Sequence, residues 1–336
     1  MTSSRTLVVL PNWVGDTVMA IPVLESLAAT DRHITALGRP HLAPLLSLLS
    51  GVDDVLVREK STRATIRRLK QRNFEEAVIL PNSFRSAWLP FRAGIPVRWG
   101  YRGDFRSVLL EPAVPRPTGF RHQLGDYDYL LERLGSAAPR QASPTLALTP
   151  AAREKARERL QRGGIELEGA AIVGVFPGAE FGPSKRWAPA KFAELSAKLA
   201  DESTVQPVLI AGPGEESLAQ TVRDEADRSL PILGPDLDLA ELGAVLAELR
   251  VLVTNDSGPM HIAAAVGTTC IALFGPTNPN RTAPSGSRHH LLYTNRWCSP
   301  CFKKRCPLFH QRCMQDISVG QVERVVTETV AEPIRR

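Results

Sequence analysis

The feature that most constrains this chain is an alternation, run through twice, of short β-branched apolar runs with segments of helical period. LVVL (7–10), ITAL (34–37), DVLV (54–57) and EAVIL (76–80) read as strands, with helices expected near 17–29, 40–49, 62–72 and 84–93. Strands separated by helices cross over to parallel neighbours, so the pattern predicts an open, doubly wound parallel sheet. SAAPRQASPTLALTP (136–150), with three prolines and few charges, interrupts the rhythm as a linker does. A second series follows, with strands at 170–176, 207–212, 250–255 and 268–275, helices near 189–201, 214–226, 238–249 and 258–266, and a last helix near 318–331.

A chain of 336 residues exceeds one ordinary core. The expectation is two Rossmann-like domains, 1–160 and 161–336, facing a central cleft into which both sets of strand ends carry their loops, with the last helix packing back on the N-terminal domain. No apolar run approaches the ~20 residues that span a bilayer, and Pro11, Asn12 and Asp16 cut short the first apolar run, so a cytoplasmic protein is expected. A net charge of +6 and a pI near 9.2 favour an anionic partner without choosing among nucleic acid, an acidic membrane face and a phosphorylated substrate.

VTNDSGPMHIAAAVG (253–267) reads as a strand, a turn at Asp256, Ser257 and Gly258, and a helix with Pro259 in its first turn. Open N–H groups at such a helix start attract phosphate, although Asp256 or Ser257 as a plain N-cap explains the turn as well. FPGAEFGPSKRWAPAKF (176–192) is a second loop between strand and helix, in which Lys185 and Arg186 suit a diphosphate. AGPGEES (211–217) carries only a partial dinucleotide fingerprint. Of two D-x-D pairs, Asp126/Asp128 lies in a helical pattern and Asp238 with Glu241 reads as a capping box, so neither is taken as a metal–diphosphate site. NWVGD (12–16) places an acid, Asp16, where a phosphate-binding turn would carry glycines, and a helix cap for a helix from Thr17 is its plain alternative.

NWVGD, LPNSFRSA (80–87), FPGAEFGPSKRW, TNDSGPMHIAAAVG and CSPCFKKRCP together resemble the bacterial lipopolysaccharide heptosyltransferases, heptosyltransferase II most of all, in order along nearly the whole chain. The resemblance implies a glycosyltransferase type B fold, an ADP-heptose donor, inversion at the anomeric carbon, no cofactor or divalent metal in catalysis, and the first heptose of the lipid-linked inner core as acceptor. It puts the catalytic aspartate on Asp16 and the donor-phosphate lysine on Lys185. Donor contacts fall on Asp256, Ser257, Gly258 and His261, with adenosine contacts near Glu215 and Leu237.

Asn82, Ser83, Arg85 and Arg102, within an arginine-rich stretch that also holds Arg92, Arg98, Arg106, Trp88 and Trp99, are the acceptor candidates, because arginines suit phosphates and carboxylates. RATIRRLKQR (63–72) reads as a solvated helix face or a contact with the anionic inner face of the membrane. Cys298, Cys301, Cys306 and Cys313, spaced C-x2-C-x4-C-x6-C, leave three readings open: a structural zinc, packed reduced thiols, or disulfides. An NAD-dependent dehydrogenase is the alternative enzyme, though NWVGDT lacks the G-x-G-x-x-G it needs, and a nucleic-acid binder is the alternative class. The expectation here is no nucleic-acid partner.

Overall fold

A computed structural model describes residues 4–119, 121–136 and 143–333. It divides into two compact units, 1–147 and 148–336. The division falls inside the expected linker, of which 137–142 lie outside the described residues, and not at 160. Helix Pro150–Arg162 accounts for the difference, since it packs on helix Leu239–Ala247 of the second unit. Thr149 caps this helix by accepting from the Ala152 N–H at 3.2 Å, and Pro150 occupies its first turn.

The first unit holds β1 (Ser4–Val9), β2 (Arg32–Gly38), β3 (Asp54–Val57), β4 (Glu76–Ile79), β5 (Val97–Tyr101) and β6 (Ala113–Val114), all parallel, in the order β3-β2-β1-β4-β5-β6. Its core joins Leu7, Val9, Leu37, Ile79 and Ala87 to Leu89 and Leu109. The second unit repeats the plan with β7 (Ala171–Phe176), β8 (Val205–Ile210), β9 (Ile232–Leu233), β10 (Val251–Asn255), β11 (Thr269–Phe274) and β12 (His290–Tyr293), again all parallel, in the order β12-β11-β10-β7-β8-β9. Counted from its own first strand, this is the same order. Each sheet therefore reverses direction next to its first strand, between β1 and β4 and between β7 and β10, and the crevice at such a reversal is where doubly wound sheets take ligands.

The expected strands are present, and β5, β6, β9 and β12 are added at or toward the sheet edges. The first expected helix is two, Val14–Met19 and Ile21–Ala28, and the segment near 40–49 is a 3-10 turn followed by the short helix Ala43–Leu46. Val319, Val322 and Val326 on the buried face of helix Val319–Ala331 enter the core of the second unit with Trp187 and Leu195. Among the described residues no helix is long and apolar enough to cross a membrane.

Candidate active site

In the second unit, the loops after β7 and β10 meet at the switch point. Asn255, fully buried at the end of β10, ties them together: its Nδ2 donates to the carbonyls of Pro177 (2.9 Å) and Gly178 (3.2 Å), and its Oδ1 accepts from the Trp187 N–H (3.0 Å). The tie fixes both ends of the 177–187 loop. Lys185 then reaches back, its Nζ 2.5 Å from Asp256 Oδ2, and the Thr277 hydroxyl donates to the same oxygen at 2.6 Å. Their side chains are 12% and 5% exposed, so the pair sits largely out of water, and the ammonium also lies over the Phe181 ring at 4.9 Å.

Ser257 is the N-cap residue of helix Gly258–Ala265, yet its side chain makes no capping bond; its Oγ lies 3.0 Å from Thr254 Oγ1 instead. The plain capping role considered for Asp256 and Ser257 is therefore not formed, and the helix start remains an N–H-rich, positive end. His261 is buried in the first turn of that helix.

Glu215, on the loop after β8 and the N-cap residue of helix Glu216–Ala226, sets its carboxylate against Gly178 and Gly212: a Cβ at those positions would lie 2.0 Å and 3.0 Å from Oε2. Burial pushes its carboxyl above the ordinary range, against the pull of Arg186 and the backbone amides of Ala179 and Gly212. Leu237 is half-buried on the loop after β9, its N–H donating to the Gly234 carbonyl at 3.0 Å. Lys185, Asp256, Ser257, Gly258, Glu215 and Leu237 thus all lie at the C-terminal ends of neighbouring strands. Asp238 and Glu241 form a capping box, and Asp126 and Asp128 lie within helix Gln123–Arg133.

The loop carrying the four cysteines packs on this site. Gln311 Nε2 donates to the carbonyls of Pro183 (2.8 Å) and Arg186 (2.9 Å), and Ser184 Oγ donates to the Lys303 carbonyl at 2.5 Å. Gly182, at φ 151°, lies so close that a Cβ would come within 2.7 Å of the Lys304 carbonyl oxygen. All five cysteines are free, and Cys298, Cys301, Cys306 and Cys313 line one cavity with Ser184, Pro276 and Gln311. Of the three readings left open, disulfides are not formed, and among the described residues no group of three or more His, Cys, Asp or Glu side chains that could hold a metal ion is present. Burial, and after it the neighbouring Cys298, Cys301 and Cys306, push the Cys313 thiol up to about 11.

In the first unit, Asp16 lies in the first turn of helix Val14–Met19, whose N-cap residue is Trp13. The helix begins at Val14, so Asp16 is not the cap expected of a helix starting at Thr17. An acid in a first helical turn is favoured there by the helix dipole. Around it, Arg39 Nε donates to Asn12 Oδ1 at 2.9 Å and His41 Nε2 lies 3.0 Å from the Asn12 carbonyl.

After β4, Ser83 caps helix Phe84–Ala93 by accepting from the Ser86 N–H at 3.3 Å. Arg85 is exposed and donates to Thr62 Oγ1 at 3.0 Å, while Arg102 is exposed with its Nε on the Ala113 carbonyl at 3.0 Å. Arg106 is fully buried and bonds the Tyr101 carbonyl (2.8 Å), Ser86 Oγ (3.2 Å) and Asn82 Oδ1 (3.3 Å); it is a brace for the 81–86 loop and not a surface contact. Burial pulls its guanidinium down to about 10. Arg92 lies over Trp88, Arg98 over Phe91, and Trp99 Nε1 donates to Glu76 Oε2 at 3.0 Å, so the arginine-rich stretch serves packing as much as its surface.

Sequence reasoning missed Asn255, Thr277 and Gln311. Each is an ordinary polar residue whose partners lie about 20 or more positions away in the chain, and no local pattern announces that.

The profile of glycosyltransferase family 9 (heptosyltransferase) matches residues 62–311. The chain belongs to this family. It is a glycosyltransferase, neither the dehydrogenase nor the nucleic-acid binder weighed as alternatives. Lipopolysaccharide heptosyltransferase 2 of Escherichia coli K12 is 32% identical over 307 residues, 86% of this chain and 87% of that protein. The solved E. coli ADP-heptose LPS heptosyltransferase II superimposes with a TM-score of 0.81 at 26% identity, over 97% of this chain and 98% of that one, which supports the type B fold. E. coli heptosyltransferase WaaC, solved with ADP, shares the fold at a TM-score of 0.73 and 18% identity, over 97% of this chain and 99% of that one.

Proposed function

We propose that this enzyme transfers heptose from ADP-heptose to the first heptose of the lipopolysaccharide inner core, with inversion and without a divalent metal. The observation that carries the reading is the Lys185–Asp256–Thr277 cluster beside an uncapped helix start at the switch point of the second sheet. Departure of ADP builds negative charge on the diphosphate, and a lysine with helix N–H groups offsets it as a metal ion would. On donor binding Lys185 exchanges Asp256 for phosphate, while Thr277 keeps its bond to the carboxylate. Ser257, Gly258 and His261 border the diphosphate and sugar, and Glu215 and Leu237 take the adenosine.

The first unit takes the acceptor. Asp16 accepts the proton of the attacking hydroxyl as its oxygen bonds to the anomeric carbon and the bond to the ADP oxygen breaks, and attack opposite the leaving group inverts the centre. Asn82, Ser83, Arg85 and Arg102 border the acceptor. Heptosyltransferase II of E. coli, 32% identical over most of both chains by sequence and sharing the fold in its solved structure, bears a name that supports heptose transfer from ADP-heptose to lipopolysaccharide. A lipid-linked acceptor places the work in the cytoplasm, peripherally at the inner membrane face, and the basic helix Thr62–Lys70 suits an anionic surface.

Purified protein is incubated with ADP-heptose and lipid-linked core bearing one heptose, in the presence of EDTA. The expected result is one ADP released per heptose added to the acceptor. Transfer only to core lacking the first heptose would overturn the acceptor assignment, and strict dependence on added magnesium would overturn the metal-free mechanism.

A further inference from the structure

Arg58 directly follows β3, and its Nε and Nη2 are shielded from water with no hydrogen-bond partner. The charges that act on it are Arg39 and Arg85, both cations, and together with burial they pull its guanidinium down to about 10. Among the described residues no acid forms an ion pair with Arg58, and its two neighbours in charge bond neutral side chains, Arg39 to Asn12 and Arg85 to Thr62. A guanidinium with two donors desolvated and unspent, within electrostatic reach of two further guanidiniums, is an unfavourable arrangement that a bound anion would reverse.

The three arginines arrive from successive strand ends. Arg39 follows β2, Arg58 follows β3, and Arg85 lies in the first turn of the helix after β4. In a parallel sheet these ends share one edge, the edge from which the helix bearing Asp16 also starts. The link to Asp16 is direct in sequence and in contact, since Arg39 holds the Asn12 side chain four residues before it.

We propose that Arg39, Arg58 and Arg85 form an oxyanion site in the first unit that takes a phosphate or carboxylate group of the acceptor. The fork of Arg58 Nε and Nη2 matches two oxygens of one anion, which an ammonium could not do. Arg39 and Arg85 complete the charge, and Arg39 couples the filled site to the loop that leads into Asp16. Assigning the anion to the acceptor rests on the function proposed above; anion binding by itself does not.

The test titrates inorganic phosphate into the full-length protein at constant ionic strength, with ADP saturating the second unit, and follows heat and melting temperature. Wild type is expected to bind phosphate, and Arg58→Met to lose about tenfold or more in affinity, as one two-pronged charge-assisted contact supplies. Because the wild-type arginine is buried unpaired, Arg58→Met should melt no lower than wild type without phosphate. Arg85→Ala, at an exposed position that folding does not need, should also weaken phosphate. Equal phosphate affinity in wild type and both variants would overturn the site.

Acetate that competes with phosphate identifies a carboxylate-accepting site, and acetate that does not identifies a phosphate monoester. In the transfer assay Arg58→Met should raise the acceptor KM about tenfold or more and leave the donor KM unchanged, as loss of binding at one substrate does. An unchanged acceptor KM despite lost phosphate binding would detach the site from the acceptor. ADP binding in the same titrations reports separately on the donor assignment.

Discussion

Lys185 and Asp256 hold each other in a place that water barely reaches, so removing one leaves the other exposed to the full cost of burial. Lys185→Ala is expected to lower stability by about 2–4 kcal/mol, less than a wholly isolated buried charge because Thr277 still bonds Asp256. ADP affinity and turnover should fall together, since the lysine meets phosphate charge present before and during departure. Thermal melts with and without ADP check both, and a stable variant with normal ADP affinity would make Lys185 a bystander. Glu215 makes a pH prediction. Its folded carboxyl holds its proton to higher pH than the unfolded one, so the folded state binds more protons and stability falls as pH rises above the ordinary carboxylate range. Glu215→Gln should therefore gain stability relative to wild type between about pH 4.5 and neutrality, the interval that begins at the ordinary carboxyl value. Melting curves across that range check it, and a difference that shrinks with rising pH would contradict the burial argument. Asp16, Lys185 and Asp256 stand inside short motifs, which is why the sequence alone singles them out as candidates. Arg58 drew no notice in the sequence, because the charges that act on it, Arg39 and Arg85, lie 19 and 27 positions away.

The cysteine-bearing loop holds the 182–187 loop, whose carbonyls Gln311 bonds from outside. Gln311→Ala removes these bonds, worth about 1–3 kcal/mol together, and frees the loop that aims Lys185. ADP affinity should drop several-fold, with little change in acceptor KM; a variant that binds ADP normally would show that the loop is fixed without Gln311. Strands β1, β2, β4, β7, β8, β10 and β11 were readable as largely buried apolar runs, and the edge strand β3 by its β-branched DVLV although only Leu56 in it is buried. VRWGY of β5, two-residue β6 and β9, and HLLY of β12 were not, being short and half-exposed near the edges. Helix Pro150–Arg162 has only Ala156 and Leu160 buried, which leaves almost no apolar stripe to read, although Thr149-Pro150 at its start was a usable signal.

Across the whole molecule, two units with separate cores repeat one strand order, and the account gives them different work: donor on the second, acceptor and base on the first. The paired plan was visible in the doubled alternation of strand and helix, whereas the boundary was misplaced because linker and helix both lie in a stretch poor in apolar residues. A ligand stabilises the part that binds it, so ADP at about 100 times its dissociation constant should add about 2.7 kcal/mol to the second unit. Hydrogen exchange should then slow at the ends of β7, β8 and β10 and not at those of β1 and β4. The most direct test of this division is Asp16→Asn, which keeps a polar side chain in the first helical turn but cannot take up the proton. Turnover should fall about 10²-fold or more, within the range of general-base catalysis, with ADP affinity and melting temperature close to wild type. Near-normal turnover in that folded, ADP-binding variant would contradict this division.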